Sequence, residues 1–231
     1  MKLPFVLSVP HAGLIAPPEV EPFCRLTPDE ISADGDEGAS EIYSLRDHVE
    51  CFVTTDIARA IVDLNRAEDD RRRDGVVKTH TCWDVPVYHD FPPETVIEQL
   101  LANYYRPYHR ALSDAASHAN VRLGIDGHTM AALGPPVGPD TGAERPPICL
   151  GNVDGQSLPE GWTATLAECL ADAFNFEISV NEPFRGGYIT RRHMIEMPWI
   201  QIEFSRASFL PDAEKRTRLL DALDAFCRRV F

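Results

Sequence analysis

Short apolar runs alternate along the chain with stretches of helical spacing, and the alternation predicts strands and helices in turn. Phe5-Val6-Leu7-Ser8-Val9 reads as a buried strand, ended by Pro10, which cannot donate to a sheet ladder. Phe52-Val53-Thr54-Thr55 and Ala60-Ile61-Val62-Asp63-Leu64 read as two more strands, and short β-like pieces are expected between Val76 and Tyr88 around Trp83. Val121–Asp126, Ile148–Asn152, Ile178–Val180 and Trp199–Phe204 complete the predicted strands. Thr27-Pro28-Asp29-Glu30 is a helix start, with a cap, a proline in the first turn and acids near the dipole. Asp34-Gly35-Asp36-Glu37-Gly38 cuts that helix short, and Ala39–Leu45 predicts another running to about His48. Pro92 to about Ser117 has apolar and aromatic residues at helical spacing, with Pro107 expected to kink or restart it. Trp162–Phe174 and Ala213–Val230 are the last two helices, and the Pro/Gly-rich stretch 134–147 predicts a long loop or lid. With no internal repeat or linker, residues 1–231 read as one α/β domain around a mixed, mainly parallel sheet flanked by helices.

Composition narrows the partners more than the fold. A chain of 231 residues, 44% hydrophobic and 25% charged, is long enough for a substantial core and ordinary for a soluble globular protein. A net charge of −14 argues against nucleic acid or an anionic membrane, since both call for basic surface. No apolar run reaches the roughly 18 residues of a membrane span, and the N-terminus shows no secretory h-region. Six cysteines are scattered without a CxxC pair, so reduced thiols in a cytoplasm are expected. Monomer and homo-oligomer both stay open.

Candidate chemistry gathers where strands and helices end. Pro10-His11-Ala12-Gly13 places His11 just past the first strand, at the edge where ligands collect in open α/β sheets. Asp36 and Glu37 stand at a helix start, and the strand Val121–Asp126 delivers Gly127 and His128 to its end. Two imidazoles and a carboxylate suit zinc, which in catalytic sites takes three protein ligands and keeps one position open. Asp126, on the same side of its strand as His128, is placed to orient that histidine through its other ring nitrogen; the competing reading is a plain turn. Glu203 interrupts an apolar run, and alternation puts Trp199, Gln201 and Glu203 on one face. That face is either the wet side of a half-exposed strand or the seat of a general base. Arg66, after Asp63-Leu64-Asn65, suits either an anion clamp or an ion pair, and Arg185-Gly186-Gly187-Tyr188 is a second anion-friendly segment. Arg71-Arg72-Arg73, set among acids, reads as a salt-laced surface loop. No GxSxG, GxGxxG or Walker A pattern is present.

Taken in order, Ser8–Gly13, Asp36–Ala39, Arg59–Arg66, Tyr105–His109, Asp126–Met130, Pro183–Thr190 and Gln201–Glu203 resemble the N-formylglutamate amidohydrolase family, over about residues 5 to 210. The resemblance implies a zinc carboxypeptidase-like fold of the phosphorylase/hydrolase type. It also implies a Zn2+ (or other divalent) ion held by His11, Asp36 and His128, with Glu37 as the substitute for Asp36. Glu203 would be the general base, and Asn65, Arg66, Arg185 and Tyr188 would meet a small acidic amide substrate. Cleavage of N-formyl-L-glutamate to formate and L-glutamate is the expected reaction. Another N-acyl amino acid or short peptide is the alternative substrate, and a non-catalytic small-anion binding protein the rival class.

Overall fold

The computed structural model describes residues 2–138 and 140–231; Met1 and Pro139, the latter inside the predicted 134–147 loop, lie outside the described residues. Six strands, β1 (Leu3–Val9), β2 (Val49–Thr54), β3 (Leu123–Met130), β4 (Ile148–Gly151), β5 (Ser179–Val180) and β6 (Trp199–Ser205), form one sheet in the order β2-β1-β3-β6-β4-β5. The β2/β1, β1/β3, β3/β6 and β4/β5 pairs are parallel and β4/β6 is antiparallel, so the sheet is mixed and mainly parallel as expected. The carboxyl ends of β1, β3 and β6 therefore open onto one edge.

Period-two alternation splits the three central strands between two cores. Phe5, Leu7, Leu123, Ile125, Ile200, Ile202 and Phe204 pack with α2 (Ala39–Ile42), α5 (Trp162–Phe174) and α7 (Asp212–Val230). Val6 and Trp199 face the other core, with α3 (Glu94–Leu100), α4 (Arg106–Ala116) and α6 (Tyr188–His193). On this second face the strands turn polar toward their carboxyl ends. Ser8 pairs with Asp126, Asp126 with Gln201 and His128 with Glu203 across the ladders. Gly124 makes room there: a Cβ would lie 2.2 Å from the Trp199 ring.

The first helix, α1 (Pro28–Asp34), begins on a complete capping box in which the Thr27 and Glu30 side chains satisfy each other's backbone N–H, and it stops at Gly35. Several predicted elements differ. The helix at Ala39 closes after Ile42 rather than near His48. The strand expected at Phe52–Thr55 starts earlier, at Val49. Ala60–Leu64 is a turn, not a strand: Ile61 and Val62 donate to the Ala58 carbonyl, and its apolar side chains are buried in the second core. Burial without a ladder produces the same apolar run that a strand would. Between Val76 and Tyr88 the β character is confined to isolated bridges. The long helix is α3 and α4 joined through a π turn at Leu101–Tyr105, which ends two residues before Pro107. β3 runs on to Met130, so His128 lies within the strand rather than beyond it.

Candidate active site

His11 leaves the end of β1 buried, and Gly13 lets the chain turn against Asp56, whose carbonyl carbon would sit 2.3 Å from a Cβ there. The backbone N–H of Asp36 donates to the His11 carbonyl at 3.1 Å, tying the two loops together. Asp36 Oδ2 accepts from the Thr129 N–H at 3.2 Å, lies 2.8 Å from His128 Nδ1 and 3.5 Å from His11 Nδ1. One ligand atom from each of His11, Asp36 and His128 falls within 4.8 Å of the others, and all three residues are buried. Glu37 is exposed; its carbonyl, not its side chain, is engaged, accepting from Thr129 Oγ1 at 2.8 Å. The substitute ligand expected at Glu37 is therefore outside the group, because successive side chains at this helix start point apart.

The opposite ring nitrogens are held by further acids. His11 Nε2 is 2.9 Å from Asp63 Oδ1, and His128 Nε2 is 3.2 Å from Asp126 Oδ2. Asn65 Nδ2 donates to Asp126 at 3.3 Å and lies 3.0 Å from His128 Nε2, while Asn65 Oδ1 accepts from the Ile189 N–H at 2.7 Å. Gly187 permits this approach, since a Cβ there would fall 2.2 Å from the Asn65 amide. Carboxylates outnumber fixed cations here: Asp34, Asp36, Asp63, Asp126 and Glu203 are buried with Lys78 and the half-buried Arg59. Burial opposes a charge on His128, yet Asp126 and Asp36 override it and push its pKa well up. Burial works against ionised Asp63 too, but Lys78, His11 and Arg59 hold its pKa well below the usual range. A pocket that draws protons onto a buried imidazole is one that suits a cation, and the two Nδ1 atoms and Asp36 are a borderline-soft N/O donor set that fits zinc.

Glu203 stands across the ladder from His128. Gln201 Nε2 donates to its Oε1 at 2.5 Å, and Gln201 Oε1 accepts from the Gly187 N–H. Burial raises the Glu203 pKa to about 7; His128 pulls against the rise and Asp36 adds to it. Gln201 and Glu203 are 3% and 5% exposed, so the face they share is not the wet side of a half-exposed strand.

These groups line a cleft of about 630 Å³, within the usual range for a small-molecule site. Asn65, Arg66, Arg185 and Tyr188 all reach it, as do Pro135 and Val137 of the predicted loop, tied across the cleft by a Val137 N–H bond to the Cys82 carbonyl at 3.1 Å. Both expected anion clamps carry an acid already: Arg66 Nη2 lies 3.3 Å from Asp74, and Arg185 Nη1 lies 3.2 Å from Asp154. Arg72 and Arg145 are paired likewise, with Asp70 and Asp140.

Sequence reasoning gave no site role to Asp63, Arg59, Gln201 or the buried Asp34–Lys78 pair, whose Nζ–O distance is 3.0 Å. Asp63 carried a usable signal, an acid inside the apolar run Ala60–Leu64, the same anomaly that singled out Glu203. Arg59 stands four residues before it, and the two side chains meet at 3.2 Å.

A family model described as N-formylglutamate amidohydrolase matches residues 3–210. The N-formylglutamate deformylase of Pseudomonas putida is 24% identical over 232 residues, covering 94% of this chain and 85% of the relative. That of Pseudomonas aeruginosa is 23% identical, covering 91% and 84%. Among solved structures, the N-formylglutamate amidohydrolase of Ralstonia eutropha JMP134 superposes with a TM-score of 0.80 at 19% identity, over 99% of this chain and 93% of that one.

Proposed function

The chain belongs to the N-formylglutamate amidohydrolase family, and from that premise we propose that it is a metal-dependent amidohydrolase cleaving N-formyl-L-glutamate to formate and L-glutamate. The observation that carries the reading is the His11–Asp36–His128 group with Glu203 across the ladder from its second histidine. The names of the Pseudomonas relatives supply the substrate.

His11 and His128, through Nδ1, and Asp36, through Oδ2, would hold a divalent ion, with zinc the best match to the donor set. When bound, such an ion supplies Lewis acidity, polarising an amide carbonyl and acidifying water. Asp63 and Asp126 keep the two imidazoles turned with Nδ1 inward. Glu203 takes the proton from the attacking water and returns it to the amide nitrogen as the C–N bond breaks. A carboxylate lifted to about 7 by burial is tuned for that exchange near neutral pH. Gln201, fixed by the Gly187 N–H, holds one Glu203 oxygen in place and leaves the other for the proton. Arg66 and Arg185 line the cleft with an acid partner each, and the exposed Arg191 offers unpaired positive charge to an anionic substrate in a chain of net charge −14. The cytoplasm suits a chain with six free thiols.

Release of the free amino acid by the zinc-loaded protein tests this, with N-formyl-, N-acetyl- and N-succinyl-amino acids side by side. The expected result is preference for N-formyl-L-glutamate; preference for another acyl group moves the substrate, and no hydrolysis of any of them overturns the enzyme reading. Glu203→Gln should retain zinc by elemental analysis and lose about 10²–10⁴-fold in kcat.

A further inference from the structure

Most cations lining the cleft are already neutralised by an acid of the same chain. Arg59 lies against Asp63, Lys78 against Asp34, Arg66 against Asp74, and Arg185 against Asp154. Arg72 and Arg145 have Asp70 and Asp140. Among the described residues that line the cleft, Arg191 and Arg206 have no carboxylate within 4.0 Å. Arg191 is exposed in the last turn of α6, where the helix dipole and water account for its charge. Arg206 has no such explanation.

Arg206 follows the last residue of β6, and its backbone N–H donates to the Met130 carbonyl at 2.8 Å, extending the β3/β6 ladder by one step. The side chain thus emerges half-buried at the carboxyl edge, on the cleft wall with Met130 and Glu203. Nη1 donates to the Gly35 carbonyl at 3.3 Å, one residue before Asp36. Nε is buried with no acceptor among the described residues. The neighbouring cation, Lys215, is committed to the Ser205 carbonyl and Asp212. A guanidinium has five N–H donors in a planar fork, and here one of them has an acceptor within the protein. Holding a partly desolvated charge without a counter-ion is costly, and an arriving carboxylate would remove that cost while accepting from two donors at once.

We propose that Arg206 is the anchor for one carboxylate of the substrate, a specificity-determining residue beside the reacting group. The proposal rests on the diacid substrate inferred above. It shifts the carboxylate site from the acid-paired Arg66 and Arg185 to a cation that has no acid partner among the described residues and keeps donors free of protein acceptors.

Glutarate, a dicarboxylate with no bond to cleave, tests the anchor without turnover. By calorimetry, Arg206→Gln should weaken glutarate binding about tenfold or more, and Arg206→Lys should recover part of the loss by keeping the charge without the fork. In the kinetic arm, KM for N-formyl-L-glutamate should rise by a similar factor with kcat changed far less. One of the two monoamides, N-formyl-L-glutamine or N-formyl-L-isoglutamine, should show no difference between parent and variant, which identifies the carboxylate held. Equal losses on all three substrates would assign Arg206 a structural role through the Gly35 loop and overturn the proposal. So would failure of the parent to bind glutarate, or binding as tight in Arg206→Gln as in the parent. Should Arg206→Gln not fold, Arg206→Lys decides alone, with a several-fold loss expected and parental affinity overturning the anchor. If glutarate binds through Arg206 while no formyl amino acid is hydrolysed, the anchor stands and the substrate assignment falls.

Discussion

Asp63 holds more of the site together than any side chain that faces the cleft. Its Oδ1 lies 2.9 Å from His11 Nε2 and accepts from the Asn65 N–H at 3.0 Å, while Oδ2 lies 3.3 Å from Lys78 Nζ and 3.2 Å from Arg59 Nε. An uncharged amide there would weaken the hold on His11 and leave Lys78 and Arg59 short of counter-charge. Asp63→Asn should therefore lower zinc affinity about 10–100-fold, read by competition with a chelator; unchanged affinity would remove Asp63 from the account of the site. His128→Ala should lose the metal altogether, and full zinc occupancy by elemental analysis would break the proposed ligand set. At this scale the sequence marks unusual residues but not their partners. Asp63 and Glu203 both stand out as acids in apolar runs, yet nothing local indicates that one meets His11, 52 residues away, and the other sits opposite His128.

At the scale of elements, alternation carries most of the weight. Trp199, Gln201 and Glu203 share a face of β6 as their spacing requires, and so do Asp126 and His128 on β3. The close fit of β3 to β6 at Gly124 is a packing constraint that alternation does not reveal. Gly124→Ala should destabilise the fold by about 1–3 kcal/mol, because the Trp199 ring is buried and has little room to retreat. The expected signature is a lower urea midpoint with an unchanged slope, and an unshifted midpoint would show that the strands can part at no cost. Where periodicity misleads, the cause is visible. Ala60–Leu64 is apolar because it plugs the second core, and hydrophobicity alone does not separate that duty from strand pairing. Pro107 lacks an N–H, and the helix accommodates the missing bond by widening to a π turn at Leu101–Tyr105 without stopping.

Across the whole molecule, the buried charges couple stability to pH. His109 stacks against His193, and burial together with that neighbouring imidazole holds its pKa down to about 4. In the unfolded chain it would titrate near 6.5, so between these values the unfolded state binds the extra proton. Stability should therefore fall as pH drops from about 6.5 to about 4, by up to about 3 kcal/mol from this group. Asp34 adds a second loss at lower pH. Burial would raise its pKa, but Lys78 and Arg59 hold it at about 2, so its contribution is full above the usual aspartate value and disappears as pH falls through about 2. Glu203, lifted to about 7, works in the opposite direction over the same range, so the check is a difference: from pH 7 to 4 the urea midpoint of the parent should fall relative to that of His109→Gln, and parallel curves would exclude His109. Among the described residues no helix is long and apolar enough to cross a membrane. The alternation of apolar runs and helical stretches, with the ordered motifs from Ser8 to Glu203, was by itself enough to determine a mainly parallel α/β sheet and a family, because period and turn chemistry are local properties of the chain. Tertiary structure alone decided that β3 continues through His128, that Asp63 and Asp126 stand behind the histidines, and that Arg206 is without an acid partner while Arg66 and Arg185 have theirs. Each of those facts depends on groups distant in sequence meeting across a fold, and a hydrogen bond or ion pair of that kind leaves no periodic trace.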